Sequence, residues 1–389
     1  MIARFKVLLP FVFTFAFDSN FASESVEYDE YHVIFYPPMQ ANINVSATDI
    51  NAQIPMADAG ANLDAAIIST PNAAVKVNGK ETIQANLLQI DFKTERDYNR
   101  ARGAKEIDPP LESFLAVANG FLEKFRSIAS VPNIKSLTLE TIPAWRIEYL
   151  TNAGAELEKD EKLSRSVHSI KTKWQSNILN ANLWNKATEN FMDFTPYVWD
   201  SLLLDAHAQG EDANAAIVLA NAALEATVDF ALEVSARHSS RISYQSYEWL
   251  ANKRDFTKQP SAKEKFDEML YLVAGRSLKT EEEQLWKAFL DLRDARNSMV
   301  HEGRAVIKKG KKKIPVDSQI AAKLTKEAAK IIHWLENLLP EKFRRQKIKY
   351  DYEMSLTVPA RGSADDGKEV YLVGVKSSHP MKMSFGNND

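Results

Sequence analysis

The run ANAAIVLANAALEATVDFAL, residues 213–232, decides the fold of the second half of the chain. It is rich in Ala and Leu, which are strong helix formers, and its helix would be apolar almost all round. A helix of that kind is stable where other helices cover it. We therefore expect it to be buried within a helical bundle.

Helical periodicity continues on both sides of this run. Helices are predicted at about 195–207, 211–236, 262–276, 280–301 and 317–339. An earlier apolar stripe with helical spacing consists of Leu163, Val167, Ile170, Trp174 and Ile178. Five or six helices over this length predict a compact bundle, to which we assign residues 154–341.

Residues 1–153 have a different pattern, in which short β-branched and aromatic runs alternate with Pro, Gly, Asn and Asp. Residues 135–140 and 145–149 are expected to pair as a hairpin that carries Trp145, Ile147 and Tyr149 on one face. Between Pro110 and Ser130 the apolar spacing becomes helical, so one helix should pack on the sheet. This part of the chain is predicted to be an α+β domain.

Residues 342–389 are assigned as a basic linker and a short β extension. The basic stretch Lys342–Lys349 precedes strand-like runs at about 351–358 and 368–376, and the segment beyond Ser377 is expected to be loose. The fold class of the whole chain is therefore predicted to be α+β, with a strand-rich N-terminal domain, an all-α bundle and a strand-rich C-terminal extension.

The apolar run near the N-terminus allows two interpretations. Arg4 and Lys6 precede an apolar stretch that ends at Phe17, which is the order of a secretory signal. The stretch is also rich in Phe and Val, which suit a strand, and it lacks a good small-residue cleavage site. We favour a strand and a cytoplasmic protein. The alternative is an exported protein in which Met1–Ala22 is a signal peptide.

The amino-acid composition excludes several kinds of functional site but says little about where in the cell the protein is located. The chain of 389 residues has no cysteine, which excludes disulfides, thiolate metal sites and cysteine nucleophiles. Its formal net charge of −3 gives no overall attraction for polyanions. Any contact with nucleic acid must therefore come from local clusters of Lys and Arg.

The strongest local signal is Arg296-Asn297-Ser298-Met299-Val300-His301, at the end of a predicted helix. Asn297 and His301 are four residues apart and share a helix face, while the long side chain of Arg296 can reach the same point. Guanidinium binds phosphate oxygens and imidazole exchanges protons near neutral pH, so the trio suits attack of a ribose 2′-hydroxyl on the adjacent phosphorus. No cluster of metal-ligand residues accompanies the segment, and a metal-independent reaction is expected. The alternative is that His301 and Gly303 simply end a helix.

A second candidate lies on the apolar helix, where Asn221, Glu225 and Asp229 follow one another at four-residue spacing. A carboxylate on a mostly buried helix needs a partner. We predict that Glu225 pairs with Arg296 or Arg293 and orients the guanidinium. The alternatives are a purely structural ion pair and a polar stripe that faces outward.

These two features together resemble the HEPN family. The resemblance rests on Ala223-Leu224-Glu225-Ala226 within an apolar helix, and on Leu292-Arg293-Asp294-Ala295-Arg296-Asn297-Ser298-Met299-Val300-His301-Glu302-Gly303 about seventy residues later. It covers about residues 190–340. It implies a four- or five-helix bundle that dimerises, so that two copies of the motif form one cleft with metal-independent ribonuclease activity.

Carried over to this chain, the resemblance makes Arg296 and His301 catalytic, Asn297 an orienting residue and Glu225 the supporting acid. Many members of the family act as toxins or in antiviral defence, so that role is implied here. The family also contains members that bind nucleotides or serve as scaffolds. A non-catalytic module for dimerisation or nucleotide binding is therefore the alternative function.

Basic residues follow the motif directly: Arg304, Lys308, Lys309, Lys311, Lys312 and Lys313. Beside a cleft they would track an RNA backbone, and the alternative is a solvated basic loop. The candidate RNA-binding residues are Arg293, Arg304, Lys308 and Lys309. The expected partners are RNA, with transfer RNA as one candidate, a second copy of the chain, and an antitoxin or trigger protein. No cofactor and no membrane partner is expected.

Overall fold

The computed structural model describes residues 1–16, 21–38, 72–94, 109–142, 144–163, 177–251, 259–310 and 312–347, together with four short strands after residue 353. The chain divides into two compact units. Unit 1 comprises Met1–Ala129, Asn133–Phe194 and Ile348–Asp389, and unit 2 comprises Ser130–Pro132 and Thr195–Lys347. Unit 1 is strand-rich and unit 2 is helical, so the α+β prediction is confirmed.

The strands of the described residues are β1 (Ile2–Ala16), β2 (Glu24–Tyr28), β3 (Tyr31–Phe35), β4 (Asn72–Val77), β5 (Lys80–Lys93), β6 (Ala144–Leu150), β7 (Glu156–Leu163), β8 (Asn177–Ile178), β9 (Val306–Lys309), β10 (Lys312–Pro315), β11 (Met354–Val358), β12 (Arg361–Gly362), β13 (Lys368–Glu369) and β14 (Met381–Phe385). The α-helices are α1 (Leu111–Ile128), α2 (Ala181–Thr188), α3 (Val198–Ala208), α4 (Ala213–His238), α5 (Tyr244–Ala251), α6 (Ala262–Glu264), α7 (Leu270–Ala274), α8 (Leu278–Glu281), α9 (Glu283–Glu302) and α10 (Ser318–Asn337).

Strand β1 lies inside the main sheet of unit 1, whose order is β14-β11-β4-β5-β1-β6-β7. It pairs antiparallel with β5 and with β6, and β3 adds to the far side of β5. The apolar N-terminal run is therefore a strand, as favoured from the sequence. Its alternation places Phe5 against the helix α1, with the rings of Phe5 and Phe114 5.5 Å apart.

Helix α1 confirms the predicted helix between Pro110 and Ser130. Its apolar side is fully buried on the sheet, where Phe125 packs edge-on against Phe13 at 5.2 Å. Phe121 of the same helix meets Phe35 of β3 at 4.9 Å. Aromatic side chains thus form much of the unit 1 core.

One strand of the predicted hairpin is confirmed and the other is wrong. Trp145, Ile147 and Tyr149 do share one face of β6, opposite Val7, Phe5 and Ala3 of β1. Residues 135–140, however, form no strand, and β6 pairs with β7 instead. The earlier segment is held as a turn because Asn119 of α1 bonds both the N–H and the carbonyl of Leu137, at 2.6 and 2.9 Å.

The predicted boundary at residue 153 also differs from the structure, in which unit 1 continues to Phe194. Residues 156–163 form β7, although their sequence ELEKDEKL suits a helix, because they pair with β6. Helix α2 also belongs to unit 1, since Trp184 stacks on Phe35 at 5.6 Å. Of the stripe predicted as a helix, Leu163 and Ile178 lie in strands. Val167, Ile170 and Trp174 lie outside the described residues.

The C-terminal extension is part of unit 1 and not a separate piece. Strand β11 lies within the first predicted run and pairs with β4, where Met354 is opposite Val77. Strand β13 covers only the start of the second run, and residues 370–376 lie outside the described part. Strand β14 occupies residues 381–385, where a loose segment was expected, because it pairs in parallel with β11.

Unit 2 is built around α4, as the run at 213–232 predicted. Helices α3, α9 and α10 surround it, and Ile217, Leu224 and Val228 of α4 have almost no exposed surface. By length and hydropathy α4 could also span a membrane, but core helices of soluble proteins have the same properties. The five predicted helices of this region are all present, with the third divided by a π-helical turn at Lys265–Met269.

The basic stretch predicted as a linker is in part core. Arg345 has 4% of its side chain exposed and makes a two-pronged contact with Glu336 of α10. It also donates to Asp200 of α3 at 2.6 Å. Two buried carboxylates compensate one buried guanidinium, so the end of unit 2 is fixed onto the bundle.

Candidate functional site at the end of helix α9

The segment Arg296–His301 forms the last turns of α9, as predicted. Phe289, Leu292 and Ala295 are buried in the bundle and fix the rotation of the helix. The helix ends at Gly303, whose φ of 72° is left-handed and whose N–H bonds the Met299 carbonyl at 3.0 Å. Gly303 therefore ends helix α9, as one of the two interpretations of the sequence proposed. The motif lies in the last turns before it.

Arg296 and Asn297 are joined to each other. The Nη1 of Arg296 donates to the Oδ1 of Asn297 at 3.2 Å, and both side chains are half-buried. This bond limits the motion of the guanidinium and leaves its other N–H donors for a further acceptor.

His301 is exposed, one turn beyond Asn297 on the same helix face. Within the described part of the chain its ring makes no hydrogen bond and no ion pair. The fold thus joins two members of the trio and presents the third to solvent on the same side of the helix.

Ser298 has a structural role that the sequence did not reveal. Its Oγ accepts a hydrogen bond from the Val306 N–H at 2.7 Å and donates to the Ala295 carbonyl at 3.0 Å. The side chain is buried and links α9 to the strand β9. One indication of this burial was present in the sequence: Ser298 follows Leu292 and Ala295 at three-residue spacing, which places it on the apolar helix face.

Glu225 does not have the predicted partner. It accepts a hydrogen bond from the Nδ2 of Asn221, one turn earlier on α4, at 2.9 Å. Among the described residues it forms no ion pair with Arg293 or Arg296. A neighbour on the same helix satisfies the carboxylate without any contact between helices. The polar stripe on α4 runs from buried Asn221 to exposed Asp229, which pairs with Lys265 at 2.6 Å.

Arg293 lies one turn before Arg296 and is mostly enclosed. Its Nη2 contacts Asp294 at 2.8 Å, and 23% of the side chain is exposed. Its Nε is buried without a hydrogen-bond partner in the described residues. An unsatisfied N–H of this kind costs free energy, so Arg293 retains capacity for another acceptor.

The basic residues after the motif form a hairpin and not a loop. Strands β9 and β10 place Lys308 opposite Lys313, and Lys309 opposite Lys312. Lys309 pairs with Asp291 at 3.2 Å, and Lys313 pairs with Glu302 at 3.3 Å. Lys308, Lys312 and Arg304 are exposed and form no ion pair among the described residues. Lys311 lies outside the described residues.

A cavity of about 580 Å³ lies at the start of α9, away from the motif. Leu285, Ala329 and Trp334 give it an apolar lining, and His333 stands at its rim. In the described part of the chain, no three His, Asp or Glu side chains are grouped closely enough to hold a metal ion.

Comparison with known proteins gives no relative: no family model, no curated protein and no solved structure matches this chain.

Proposed function

We propose that this protein is a metal-independent endoribonuclease of the HEPN type that acts as a toxin or antiviral-defence effector. The observation that supports it best is the end of α9, where Arg296 is held by Asn297 while His301 is open to solvent on the same side. The other supports are the sequence resemblance and the exposed cations that follow.

Each residue has a chemical task in this proposal. The imidazole of His301 exchanges a proton with the attacking 2′-hydroxyl or with the leaving 5′-oxygen. The guanidinium of Arg296 stabilises charge on the phosphate oxygens, and its bond to Asn297 orients it for that contact. Arg304 and Lys308 bind the neighbouring phosphates.

The proposed active form is a homodimer. Attack by the 2′-hydroxyl needs both a base and an acid, and the motif supplies one imidazole per chain. Two chains that meet at their α9 ends would supply both. Val300, next to His301, has 56% of its surface exposed, and an apolar residue at that position suits an interface between two copies.

A non-catalytic HEPN module for dimerisation or nucleotide binding is the second candidate. The observation that favours it is the hydrogen bond of Glu225 with Asn221: among the described residues, the proposed supporting acid forms no ion pair with either arginine. Exposed Val300 suits this function equally, since it needs an interface and no chemistry.

Incubation of the full chain with total and transfer RNA, with and without chelator, tests the proposal. We expect cleavage in chelator, with 2′,3′-cyclic phosphate and 5′-hydroxyl ends, and no cleavage where the scissile ribose is 2′-deoxy. His301→Ala should abolish cleavage, whereas His333→Ala, which changes an exposed histidine of α10, should not.

A requirement for a divalent metal, or products with 5′-phosphates, would contradict the proposed mechanism. RNA that is left intact by a protein that still dimerises would favour the non-catalytic module. Cleavage by a monomer at micromolar concentration would exclude the composite site.

A further inference from the structure

The sheet of unit 1 carries charged side chains on the face that α1 does not cover. Ala3, Phe5 and Val7 point toward α1, so Arg4 and Lys6 lie on the opposite face of β1. In register, Arg4 lies between Asp91 of β5 and Glu148 of β6. Lys6 lies between Gln89 and Arg146 one pair further along. Two rows of polar and charged side chains thus cross the central strands.

These groups form two bonded clusters, one around Asp91 and one around Glu148. Arg4 makes a two-pronged contact with Asp91, from Nε at 2.9 Å and from Nη2 at 2.8 Å. The hydroxyl of Tyr36 donates to the same carboxylate at 3.2 Å. Lys6 donates to Glu148 at 2.9 Å. Stable sheets do not need such a face, because burying ion pairs seldom stabilises more than apolar packing does.

The charged side chains of these clusters differ in their exposed fraction. The side chains of Asp91 and Glu148 are 2% and 9% exposed, whereas those of Arg4 and Lys6 are 28% and 14% exposed. Arg4 and Lys6 are thus the most exposed charged groups of this face, whereas Arg146, which contacts Glu148 at 3.7 Å, is as buried as the carboxylates at 7% exposed.

The cations have donors to spare within the described part of the chain. Arg4 uses Nε and Nη2 for Asp91, which leaves Nη1, and Lys6 uses one of its three N–H groups. Burial, and next the Asp91 charge, raise the pKa of Tyr36, so its hydroxyl stays protonated near neutral pH. Asp91 itself raises the pKa of Arg4. Apolar Leu8 and Leu87 flank the two rows on one side.

We propose that this face of unit 1 is a binding site for a small organic anion, whose carboxylate or phosphate group contacts Arg4 and Lys6. Asp91 and Glu148 hold the two cations in place and lower their cost of burial. The site does not depend on the function proposed for unit 2. It gives unit 1 a ligand of defined charge.

Isothermal titration and thermal unfolding of the full chain test this site. The probes are inorganic phosphate, adenosine monophosphate and citrate, each measured against sodium chloride of equal ionic strength. We expect at least one probe to bind saturably and to raise the melting temperature. The phosphate and citrate arms distinguish a phosphate-bearing ligand from a carboxylate-bearing one.

Three variants locate the binding. Lys6→Gln should weaken the affinity about tenfold or more, since it removes one charge and its spare donors. Arg4→Lys keeps the charge but loses the fork, and should also weaken binding. Lys186→Gln, an exposed lysine of α2, is the control and should bind as the parent does.

The proposal is overturned if none of the probes binds at millimolar concentration. It is also overturned if a probe binds but both Lys6→Gln and Arg4→Lys retain the parental affinity. If Lys6→Gln does not fold, the affinity of Arg4→Lys tests the proposal by itself, because that variant keeps a cation opposite Asp91.

Discussion

Arg296 and His301 are held to different degrees. The guanidinium of Arg296 is half-buried and bonded to Asn297, whereas the ring of His301 is exposed. The positions of both at the end of α9 were predictable, because helical spacing alone sets them. The bond between Arg296 and Asn297 was not, since adjacent side chains on a helix usually diverge.

Arg296→Ala should lower the cleavage rate about a hundredfold or more, the usual scale for loss of a charge-stabilising group. Arg296→Lys should restore little, because an ammonium keeps the charge but loses the planar fork. Single-turnover cleavage of a defined RNA measures both. Lys287→Ala, which breaks an exposed pair near the start of α9, should retain the parental rate. A parental rate for Arg296→Ala would remove Arg296 from the mechanism.

Glu225→Ala should destabilise unit 2 by about 1–3 kcal/mol, because it leaves the amide N–H of buried Asn221 without its acceptor. Glu225→Gln keeps an acceptor oxygen and should behave as the parent does. Chemical denaturation measures the free energy of unfolding. Asp229→Ala, on the exposed part of the same stripe, is the control. A much larger loss in Glu225→Ala would indicate a buried arginine partner after all.

At the scale of elements, the longer helices of unit 2 were predictable from the sequence, whereas the short helix α5 and the strands of the β9–β10 hairpin were not. Amphipathic spacing identifies α9 and α10 because one face of each is buried. Strands β9 and β10 carry Lys at half of their positions, so charge conceals the alternation of a strand. β7 was missed for a related reason: its pairing with β6 overrides the helix-favouring residues Glu, Leu and Lys.

Ser298→Ala should cost about 1–3 kcal/mol, because the buried N–H of Val306 loses its acceptor. The gain in helix propensity from Ala offsets only part of this. Hydrogen exchange at Val306 should become faster, which separates a loosened hairpin from general destabilisation. Ser246→Ala, at an exposed position in the first turn of α5, should leave that exchange unchanged. Unchanged exchange in Ser298→Ala would show that the serine does not anchor β9.

Lys308→Gln and Lys312→Gln should each weaken RNA binding and reduce the salt dependence by about one released counterion. Lys309→Gln and Lys313→Gln should have smaller effects, because Asp291 and Glu302 already compensate those charges. Binding of a non-cleavable RNA at several salt concentrations measures the slope. Equal effects of all four substitutions would contradict a role for the two uncompensated lysines.

At the scale of the whole molecule, local sequence pattern could not show that the C-terminal strands belong to unit 1. Met354 of β11 pairs with Val77 of β4. The two residues are far apart in sequence, so no local hydrophobic pattern indicates that they pair. The burial of Arg345 was not predictable either. In the sequence it is one of several neighbouring basic residues, but in the structure it contacts Asp200 and Glu336, which are distant in sequence. The contact between Arg4 and Asp91 also depends on a strand pairing that the sequence does not display.

Arg345→Met should destabilise unit 2 by about 3–5 kcal/mol, since it removes the cation that contacts buried Glu336 and the nearer of the two cations that contact buried Asp200. Chemical denaturation followed by tryptophan fluorescence measures the loss. Arg344→Met, at the exposed neighbouring position, is the matched control: it loses only a hydrogen bond to the Leu339 carbonyl, so its midpoint should fall much less. Similar midpoints for the two variants would place the Arg345 side chain in solvent.

The split of unit 1 around unit 2 has a consequence for biosynthesis. A ribosome delivers β4 long before β11, and the whole of residues 195–347 emerges between them. The helices of unit 2 lie within those residues and can pack on one another during that interval. Until β11 arrives, β4 has β5 on one side and an open edge on the other, so the nascent chain is exposed to pairing with strands of neighbouring nascent chains.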